Sequence, residues 1–546
     1  MSDPLLEKAE PDVDVLIVGA GPTGLALAAE LAEHGSRFRV VDCLLDRVHE
    51  SRALAVQPRT LEVLARLGAA NELVEAGNRA VRANLHFGHR VVSVRLFDIG
   101  IDDTVYPYLL FVSQAETERI LGEHVVSRGG TLERGVELTW LAQSAHSVSC
   151  RLRHRDGRDD VVSARYVVGC DGAHSTVRSM AGIAFQGAAY PQTFVLADLE
   201  ADGIEPGAAH AFVSSLGFLF FFPLGTPATW RVLAMRPRTY QPMAELSLAD
   251  VQALVDSYAT TPVRLRDPVW MTTFRLHNRG AAHYRAGRVF LAGDAAHIHS
   301  PAGAQGMNTG IQDSVNLGWK LALVCAGRAD PRLLDSYEPE RAPVGRRVLR
   351  FTDRAFTVAT SRNAVIRFAR AQLVPRLAAL PLRVDAARAY GFRTVSQLGV
   401  RYRNSPLSVE GPGAPRRGPR AGDRLPDAPV FVDGLASSLH RAAISARGFH
   451  LLLCGPVPSW PAAAVAEAID GFDDLVTVRR LAGNEGSGEL VDRDGKALSR
   501  LGVTGSESAL YLIRPDGHVA YRAGPDRLGL IGLRAYLAQW LVLQAR

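Results

Sequence analysis

The chain has 546 residues, of which 47% are hydrophobic and 22% are charged, and its formal net charge is +6. This length is about three to four times that of a typical domain, so we expect more than one hydrophobic core. The composition is ordinary for a globular protein, and it excludes a disordered, collagenous or disulfide-scaffold chain.

The cysteines and the apolar runs predict a cytoplasmic protein. The five cysteines are far apart and form no Cys-x-x-Cys pair, so neither a disulfide framework nor a zinc site is expected. Acidic residues near the N-terminus argue against a signal peptide, and no run of roughly 18 apolar residues predicts a membrane span. The arginine-rich stretch 341–420 is interleaved with apolar residues, which is typical of amphipathic helices, so no nucleic-acid partner is expected.

The N-terminal residues predict a β-strand, a glycine turn, an α-helix and a second strand. Residues 13–18 are an apolar run, residues 25–32 have helical apolar spacing, and residues 38–41 form a second apolar run that ends at Asp42. This βαβ opening predicts a parallel α/β sheet of the Rossmann type.

Later stretches interrupt and extend this α/β domain, which we assign to residues 1–78, 111–184 and 280–335. Short strand patterns dominate residues 79–110 and 185–279, and they predict an inserted β-rich substrate domain. The pattern is helical over residues 336–405. Glycine and proline over residues 406–420 predict a linker. Residues 421–546 form a second α/β pattern, in which Pro515-Asp516-Gly517 is a strong hairpin signal.

The first glycine turn has the form of a dinucleotide fingerprint. Gly19-Ala20-Gly21-Pro22-Thr23-Gly24 lies between the first strand and the first helix, and Asp42 ends the next strand. Such glycines let the backbone approach a pyrophosphate, helix amides bind its charge, and the carboxylate accepts ribose hydroxyls. The fingerprint alone does not distinguish NAD from FAD.

Two further segments favour a flavin. Asp294 follows a predicted strand, and the residues after it lead through Pro301 to Gly306, Met307 and Asn308 at the start of a helix. A carboxylate at a strand end can hold the hydroxyls of a ribityl chain, and helix N-terminal amides can bind the pyrimidine edge of the ring. The third segment, residues 166–178, repeats the strand, turn and helix form around Asp171.

Three such segments in this order resemble the class A FAD-dependent aromatic hydroxylases, the family of p-hydroxybenzoate hydroxylase and phenol hydroxylase. Smaller matches lie at residues 51–53, at residues 58–62 and at Gln114. The resemblance is close over residues 12–350. The C-terminal part is similar to the thioredoxin-like domain of the phenol hydroxylase and polyketide hydroxylase branches, where we expect packing or homodimer contacts rather than redox chemistry because Cys454 lacks a partner cysteine.

Carried over position by position, the resemblance implies FAD contacts from a defined set of residues: Gly19, Ala20, Gly21, Pro22, Thr23, Gly24, Asp42, Arg52, Gln114, Asp171, Asp294, Pro301, Gly306, Met307 and Asn308. It also implies that NADPH or NADH visits a groove near Arg47, Arg52 and Arg178. One departure is Ala304, where the family has glycine, and its methyl group is expected to narrow the flavin loop.

The resemblance implies a monooxygenase that uses NADPH or NADH and O2 and hydroxylates a small aromatic substrate through a flavin hydroperoxide. The C-terminal domain and the arginine- and alanine-rich composition favour a polycyclic polyketide. A catabolic phenol hydroxylase, an antibiotic-inactivating monooxygenase and a non-catalytic dinucleotide-binding module are the alternatives. The family also implies that substrate accelerates flavin reduction, and Arg52 is the candidate for holding one flavin arrangement.

Two local patterns remain. Phe220 and Phe222 are candidates for the substrate pocket, although alternate phenylalanines of a strand usually belong to the core. His297 and His299 are two residues apart, but no cluster of further ligand residues accompanies them, so no metal site is expected. The sequence identifies no catalytic side chain, because the flavin performs the oxygen transfer.

Overall fold

The structure is a computed structural model that describes residues 10–46, 53, 55–80, 82–88, 90–95, 101–214, 217–225, 228–236, 246–299, 304–360, 385–444, 447–483 and 489–543. Arg47, Arg52 and Pro301 lie outside the described residues. Within the described part of the chain, no helix has the length and apolar character that crossing a bilayer requires.

The first third of the chain alternates strands and helices. Its strands are β1 (Val13–Val18), β2 (Phe38–Asp42), β3 (Ala55–Val56), β4 (Asn78–Ala80), β5 (Arg82–Phe87), β6 (Arg90–Arg95), β7 (Leu109–Phe111), β8 (Leu132–Arg134), β9 (Val136–Gln143), β10 (Val148–His154) and β11 (Asp159–Gly169). Its helices are α1 (Pro22–Glu33), α2 (Pro58–Arg66), α3 (Ala70–Ala76), α4 (Gln114–Ser127) and α5 (Thr176–Met180).

The middle of the chain begins with long strands and ends with long helices. Its strands are β12 (Phe185–Asp202), β13 (Ala208–Ser214), β14 (Gly217–Pro223), β15 (Trp230–Arg236), β16 (Arg264–Ala281), β17 (Arg285–Ala286), β18 (Val289–Leu291) and β19 (His297–Ile298). Its helices are α6 (Leu248–Tyr258), α7 (Gly306–Cys325) and α8 (Tyr337–Thr360), with short 3₁₀ turns at Gly293–Ala295 and Pro331–Ser336.

The last third is a second α/β arrangement. Its strands are β20 (Val409–Glu410), β21 (Pro429–Val432), β22 (Leu435–Ser438), β23 (Phe449–Cys454), β24 (Val476–Ala482), β25 (Leu490–Val491), β26 (Ala509–Ile513) and β27 (Val519–Ala523). Its helices are α9 (Asp385–Val395), α10 (Leu439–Ala443), α11 (Ala462–Ile469), α12 (Lys496–Arg500) and α13 (Arg527–Trp540), with a 3₁₀ turn at Val457–Ser459.

The first sheet contains the predicted βαβ unit. Strands β8, β2, β1, β11 and β18 run parallel in that spatial order, and β10 and β9 extend β11 in antiparallel pairing. Strands β1 and β18 and residues 162–169 of β11 are largely buried, as continuous apolar runs in a parallel sheet require. Because the carboxyl ends of parallel strands meet at one edge, the three motif loops lie together there.

The second sheet is the predicted β-rich insertion. Its strand order is β19-β16-β12-β15-β14-β13-β5-β6, so residues 82–95 and residues 185–281 share one sheet. The expected boundaries of the first inserted segment, 79–110, are too wide, because β4 and β7 pair with each other in a small separate sheet with β3. Helix α6 covers one face of the second sheet through a core that includes Phe221 and Trp230.

Most of the predicted linker, residues 406–420, packs against the third sheet. Strand β20 pairs with β27 at its edge, and the amide of Gly411 donates to the carbonyl of Arg522 (2.8 Å). The Arg522 guanidinium in turn donates to the carbonyls of Arg417 and Pro419. Residues 409–420 therefore pack along the C-terminal sheet rather than separating it from the rest, because backbone pairing can use glycine- and proline-rich chain at a sheet edge.

Candidate active site

The glycines of the first turn differ in what surrounds them. Gly19 has φ +106°, and a Cβ on it would lie 2.4 Å from the carbonyl oxygen of Cys170. A Cβ on Gly24 would lie 1.9 Å from the carbonyl oxygen of Gly19. A Cβ on Gly21 would meet nothing within 4 Å. Gly19 and Gly24 thus allow β1, α1 and β11 to pack closely, whereas Gly21 borders open space that a ligand can enter.

The first turn of α1 is suited to an anion. Gly21 is its N-cap, Pro22 begins the helix, and no side chain caps the amides there, so the positive end of the helix dipole faces the open space. Asp42 lies beside the turn, where its carboxylate accepts hydrogen bonds from the amides of Ala20 (2.6 Å) and Leu44 (2.8 Å). The arrangement places Asp42 at the same edge as the predicted pyrophosphate position.

Thr23 packs against the third motif. A Cβ on Gly293 or on Gly310 would lie within about 2.5 Å of its hydroxyl oxygen, so both glycines are needed for this approach. The hydroxyl of Ser314 donates to the Thr23 carbonyl (2.6 Å). The side chain of Thr23, predicted as a cofactor contact, therefore holds α1 against α7.

The third motif ends in an exposed carboxylate above a buried polar cluster. Asp294 is exposed at the end of β18. Beneath it, Asp313 accepts hydrogen bonds from the Gly293 amide (3.1 Å), from His297 Nε2 (2.8 Å) and from Arg341 Nε (2.6 Å). Burial would raise the pKa of Asp313, but Arg341 and His297 lower it below its usual value. His297 is thus used in a hydrogen bond, and the described residues contain no group of three or more metal-ligand side chains.

Side-chain hydrogen bonds hold the start of α7 in place. No side chain caps this helix. Asn308 accepts a hydrogen bond from the Gln57 amide (2.7 Å) and donates to the carbonyls of Ala55 and Ala304 (2.8 Å each). Its amide group therefore positions the helix, while the backbone at Gly306 and Met307 remains at the open end of the helix.

Two glutamines, Gln305 at the N-cap of α7 and Gln397 in the segment after α9, brace the same helix end. Gln397 Nε2 donates to Gln305 Oε1 (2.7 Å) and to the Thr309 hydroxyl (3.0 Å), and Gln305 Nε2 donates to the Val395 carbonyl (2.8 Å). Gln397 does this from a left-handed backbone with φ +60°, a conformation that costs a non-glycine residue about 1 kcal/mol or more.

Ala304 occupies the position where the family has glycine, and it has φ +52°. Its methyl group packs against the buried cluster of Ala55, Phe111 and Leu224, which Phe222 of the second sheet also contacts. The expected narrowing of the flavin loop stays a prediction.

The second motif is bound to its own helix and to the third motif. Asp171 accepts hydrogen bonds from the Ser175 hydroxyl (2.6 Å) and the Val177 amide (3.0 Å). Burial outweighs these bonds and raises the pKa of Asp171 above its usual value. Arg178 is 7% exposed and donates to the carbonyls of Ala173 and Ala295. The guanidinium of Arg178 therefore ties two motifs together rather than lining an open groove for nicotinamide.

Gln114 lies at the start of α4 beside Ala53. Its side-chain oxygen accepts a hydrogen bond from the Ala53 amide (3.4 Å), and its nitrogen donates to Glu118 (2.8 Å). The carbonyl of Ala53 accepts a hydrogen bond from Arg231 of the second sheet (2.8 Å).

The second sheet presents an aromatic face toward α8 and the motif loops. We define the aromatic face by Tyr190, Phe194, Leu196, Phe218, Phe220, Phe222, Leu233, Met235, Trp270 and Phe274. The hydroxyl of Tyr190 donates to Asp353 on α8 (2.6 Å). Phe220 and Phe222 are partly exposed on this face with their ring centroids 5.4 Å apart, while Phe221 is buried beneath α6.

Comparison with known proteins identifies the family. Residues 12–352 match a family described as FAD binding domain, and residues 418–542 match one described as aromatic-ring hydroxylase, C-terminal. The chain belongs to the FAD-dependent aromatic hydroxylases. This hydroxylase is accordingly an oxidoreductase of the flavoprotein monooxygenase type.

Relatives of the hydroxylase include enzymes named for different aromatic compounds. It is 36% identical over 544 residues to 6-methylpretetramide 4-monooxygenase of Streptomyces rimosus, with 96% of this chain and 94% of that protein covered. It is 31% identical to pentachlorophenol 4-monooxygenase of Sphingobium chlorophenolicum, with 95% of each covered. A ternary complex of aklavinone-11 hydroxylase with FAD and aklavinone superposes with TM-score 0.78 at 26% identity, covering 97% of this chain and 99% of that one.

The residues of the hydroxylase fit FAD. Open space at Gly21, two helix N-termini without side-chain caps and the exposed Asp294 carboxylate match a pyrophosphate, a flavin ring and a ribityl chain. FAD supplies electron transfer from nicotinamide and the activation of O2. The protein supplies binding, orientation and exclusion of water.

Several residues of the site were not predicted from the sequence, among them Gln57, Gln305, Gln397, Asp198 and Arg231. Gln57 precedes the proline of α2, and its amide is a partner of Asn308, 251 positions away. No short-range pattern signals such a contact. The available signal for Arg231 and Asp198 was a single charged residue within each of two apolar strand runs.

Proposed function

We propose that this monooxygenase hydroxylates a phenolic ring of a polycyclic polyketide, with NADPH or NADH and O2 as co-substrates. The aromatic face is the observation that supports the proposal. It extends over β16, β12, β15 and β14, and four strands spaced about 4.8 Å apart make a wall roughly 14 Å wide. A wall of this width matches several fused rings better than one ring. Relatives named for 6-methylpretetramide and aklavinone support the same substrate class.

A catabolic phenol hydroxylase is the second candidate, because a relative is named for pentachlorophenol. The test is a substrate panel that compares polycyclic phenols with monocyclic phenols of similar acidity. We expect hydroxylated product and substrate-dependent NADPH or NADH consumption from the polycyclic members, with kcat/KM higher by about tenfold or more, since each buried ring adds roughly 1.5 kcal/mol or more of binding. A preference for single rings would overturn the polyketide assignment and leave the hydroxylase assignment intact.

Asp294 is proposed to bind the ribityl hydroxyls. Asp294→Ala should lower FAD affinity by about tenfold or more, because it removes hydrogen bonds from a buried chain. The unfolding temperature of the apoprotein should change little, because Asp294 is exposed there. Titration of the apoprotein with FAD measures the FAD affinity, and calorimetry measures the unfolding temperature. Asp335→Ala, at an exposed position outside the motif, is the control. Wild-type FAD affinity in Asp294→Ala would remove this residue from the site.

We infer that the C-terminal unit is thioredoxin-like in form and inactive in redox chemistry. Parallel β24 and β23 followed by antiparallel β26 and β27 support the form. Burial raises the pKa of the Cys454 thiol, and Cys454 is fully buried, so the reactive thiolate is disfavoured. A homodimer and a cytoplasmic location remain predictions of the sequence.

Replacing Cys454 by alanine should therefore leave the hydroxylation rate unchanged. The substitution costs roughly 1 kcal/mol of stability through a small cavity, so turnover is measured well below the unfolding temperature. Cys325→Ala is the matched control on α7. A selective loss of turnover in Cys454→Ala with full FAD occupancy would show that the thiol participates.

A further inference from the structure

We propose that the ion pair of Asp198 and Arg231 regulates flavin reduction by coupling the occupied aromatic face to the chain at Ala53. The inference rests on the proposed function and names the residues through which substrate acts. Asp198 and Arg231 belong to a row of four side chains that crosses the second sheet, Trp270 on β16, Asp198 on β12, Arg231 on β15 and Phe222 on β14. We call these four residues the Asp198 row.

Hydrogen bonds make the first three members of the row one unit. Arg231 Nε and Nη2 each donate to one carboxylate oxygen of Asp198 at 2.6 Å. The indole nitrogen of Trp270 donates to Asp198 Oδ2 at 2.9 Å. The side chains of Arg231 and Asp198 are 0% and 4% exposed. A two-pronged pair of this kind fixes the plane of the guanidinium, so the orientation of Trp270 and that of Arg231 depend on the same carboxylate.

The row also contacts the FAD-binding part of the molecule at two points. Arg231 Nη1 donates to the Ala53 carbonyl (2.8 Å), and Ala53 is held on its other side by Gln114 (3.4 Å). Phe222 and Ala304 both pack against the buried cluster of Ala55, Phe111 and Leu224, and the ring centroids of Phe222 and Phe111 are 5.8 Å apart. The row thus reaches both loops proposed to flank the flavin, while the next row holds Thr272, Leu196, Leu233 and Phe220 and has no charged member.

Stability alone does not explain an ion pair in this place. A buried ion pair contributes little compared with apolar side chains of the same volume, because both charges lose their hydration. The neighbouring positions of the aromatic face are uncharged, with Thr272 beside Trp270 and apolar residues on the other strands. The pair is instead suited to link the position of Asp198 to that of Ala53, because Arg231 cannot move without breaking its hydrogen bonds to one of them.

The coupling follows from these contacts. An aromatic ring that packs against Trp270 fixes the indole, and through Asp198 and Arg231 it fixes the Ala53 carbonyl. Substrate then favours one arrangement of the chain beside the flavin over the other, which is a population shift and requires tighter binding to the favoured arrangement. The two arrangements differ in the chain beside the flavin, so we expect them to bind FAD with different affinities. Substrate then changes the dissociation constant of FAD by the same factor by which FAD changes that of substrate.

The test uses two variants. Asp198→Asn keeps the side-chain volume and removes the charge, and Trp270→Phe keeps an aromatic ring but removes the indole N–H, its hydrogen bond to Asp198 and part of the ring system. Phe274→Leu, on the aromatic face but in a different row, is the control. Anaerobic flavin reduction by NADPH is measured with and without saturating substrate, and the FAD dissociation constant of the apoprotein is measured under the same two conditions.

We expect substrate to accelerate reduction in the wild type by about tenfold or more and to change the FAD dissociation constant by a factor of about five or more, as couplings between sites typically do. In Asp198→Asn and Trp270→Phe, substrate should lose most of its effect on the reduction rate and on the FAD dissociation constant. Phe274→Leu should bind substrate more weakly, but saturating substrate should still change both quantities as it does in the wild type. Full substrate effects in a folded Asp198→Asn or Trp270→Phe protein would overturn the proposal. Absence of both effects in the wild type would also overturn it, whereas product formation would still test the proposed function separately.

Discussion

Gly24→Ala is expected to prevent stable folding of the FAD-binding part, whereas Gly21→Ala leaves the fold intact and loses most FAD binding. A Cβ on Gly24 would lie 1.9 Å from the Gly19 carbonyl oxygen and 3.3 Å from Cys170 Cβ. Both neighbours belong to the tightly packed junction of β1, α1 and β11, so the backbone must shift. Overpacking typically costs about 1–3 kcal/mol and occasionally more, and contact with backbone atoms puts this substitution at the upper end.

Gly21 offers the matched comparison in the same turn. Its φ of −76° is open to alanine, and a Cβ there meets nothing within 4 Å. The methyl group would lie where the backbone must approach the pyrophosphate. FAD affinity should therefore fall by about a hundredfold, which corresponds to a loss of roughly 2.7 kcal/mol of binding free energy.

The two variants are compared by thermal unfolding of apoprotein and by FAD titration. Gly21→Ala should unfold within a few degrees of the wild type, and Gly24→Ala should be recovered unfolded or strongly destabilised. A Gly21→Ala protein that binds FAD as tightly as the wild type would contradict the position of the pyrophosphate.

Glu340→Gln is expected to lower the free energy of unfolding by about 3 kcal/mol, because it leaves the buried Lys320 ammonium without its ion-pair partner, while Arg514 keeps its pair with Asp516. Glu340 accepts two hydrogen bonds from Arg514 of the C-terminal hairpin (2.6 and 2.9 Å) and one from Lys320 of α7 (2.7 Å). All three side chains are 0% exposed. The exposed pair of Asp202 and Arg266 is the control, and Asp202→Asn should cost less than about 1 kcal/mol.

The same carboxylate predicts a pH dependence. Burial alone would raise the pKa of Glu340, but Arg514 and Lys320 outweigh it and lower the pKa from 4.5 to about 2. Because the folded pKa is depressed, the stabilisation is complete above about pH 5 and is lost as the pH falls toward 2. Urea unfolding between pH 7 and pH 3 measures the free energy of unfolding. It should fall more steeply with pH in the wild type than in Glu340→Gln, and an equal fall in both proteins would contradict the lowered pKa of Glu340.

The parts of the site that depend on short stretches of chain could be predicted from the sequence. The turn at residues 19–24 requires only a strand, glycines and a helix, and the hairpin at Pro515-Asp516-Gly517 requires only its turn residues. In both cases local backbone preference decides the structure. The structure places the predicted residues of the first and third motifs at one edge of the first sheet.

Long-range contacts account for what was missed. The role of Asn308 depends on Gln57, and that of Arg59 on the Asp516 carbonyl, 457 positions away. Asp516 belongs to the predicted hairpin. Its burial against α2 and α7 depends on how the C-terminal α/β unit packs against the FAD-binding part, which the local sequence does not determine. Pairing register within the inserted sheet likewise decides that Asp198 lies between Arg231 and Trp270, and no single stretch of sequence states that register.

The central claim is that this protein inserts one oxygen atom from O2 into an aromatic ring with electrons from nicotinamide and with FAD bound at the three motifs. The direct measurement is mass spectrometry of the product formed under ¹⁸O-labelled O2 by the purified FAD-loaded protein, with NADPH or NADH and the best member of the substrate panel. We predict a product carrying one labelled oxygen, formed in proportion to the nicotinamide consumed, and none from apoprotein. An unlabelled product, or nicotinamide oxidation that yields only hydrogen peroxide with every aromatic compound, would contradict the claim.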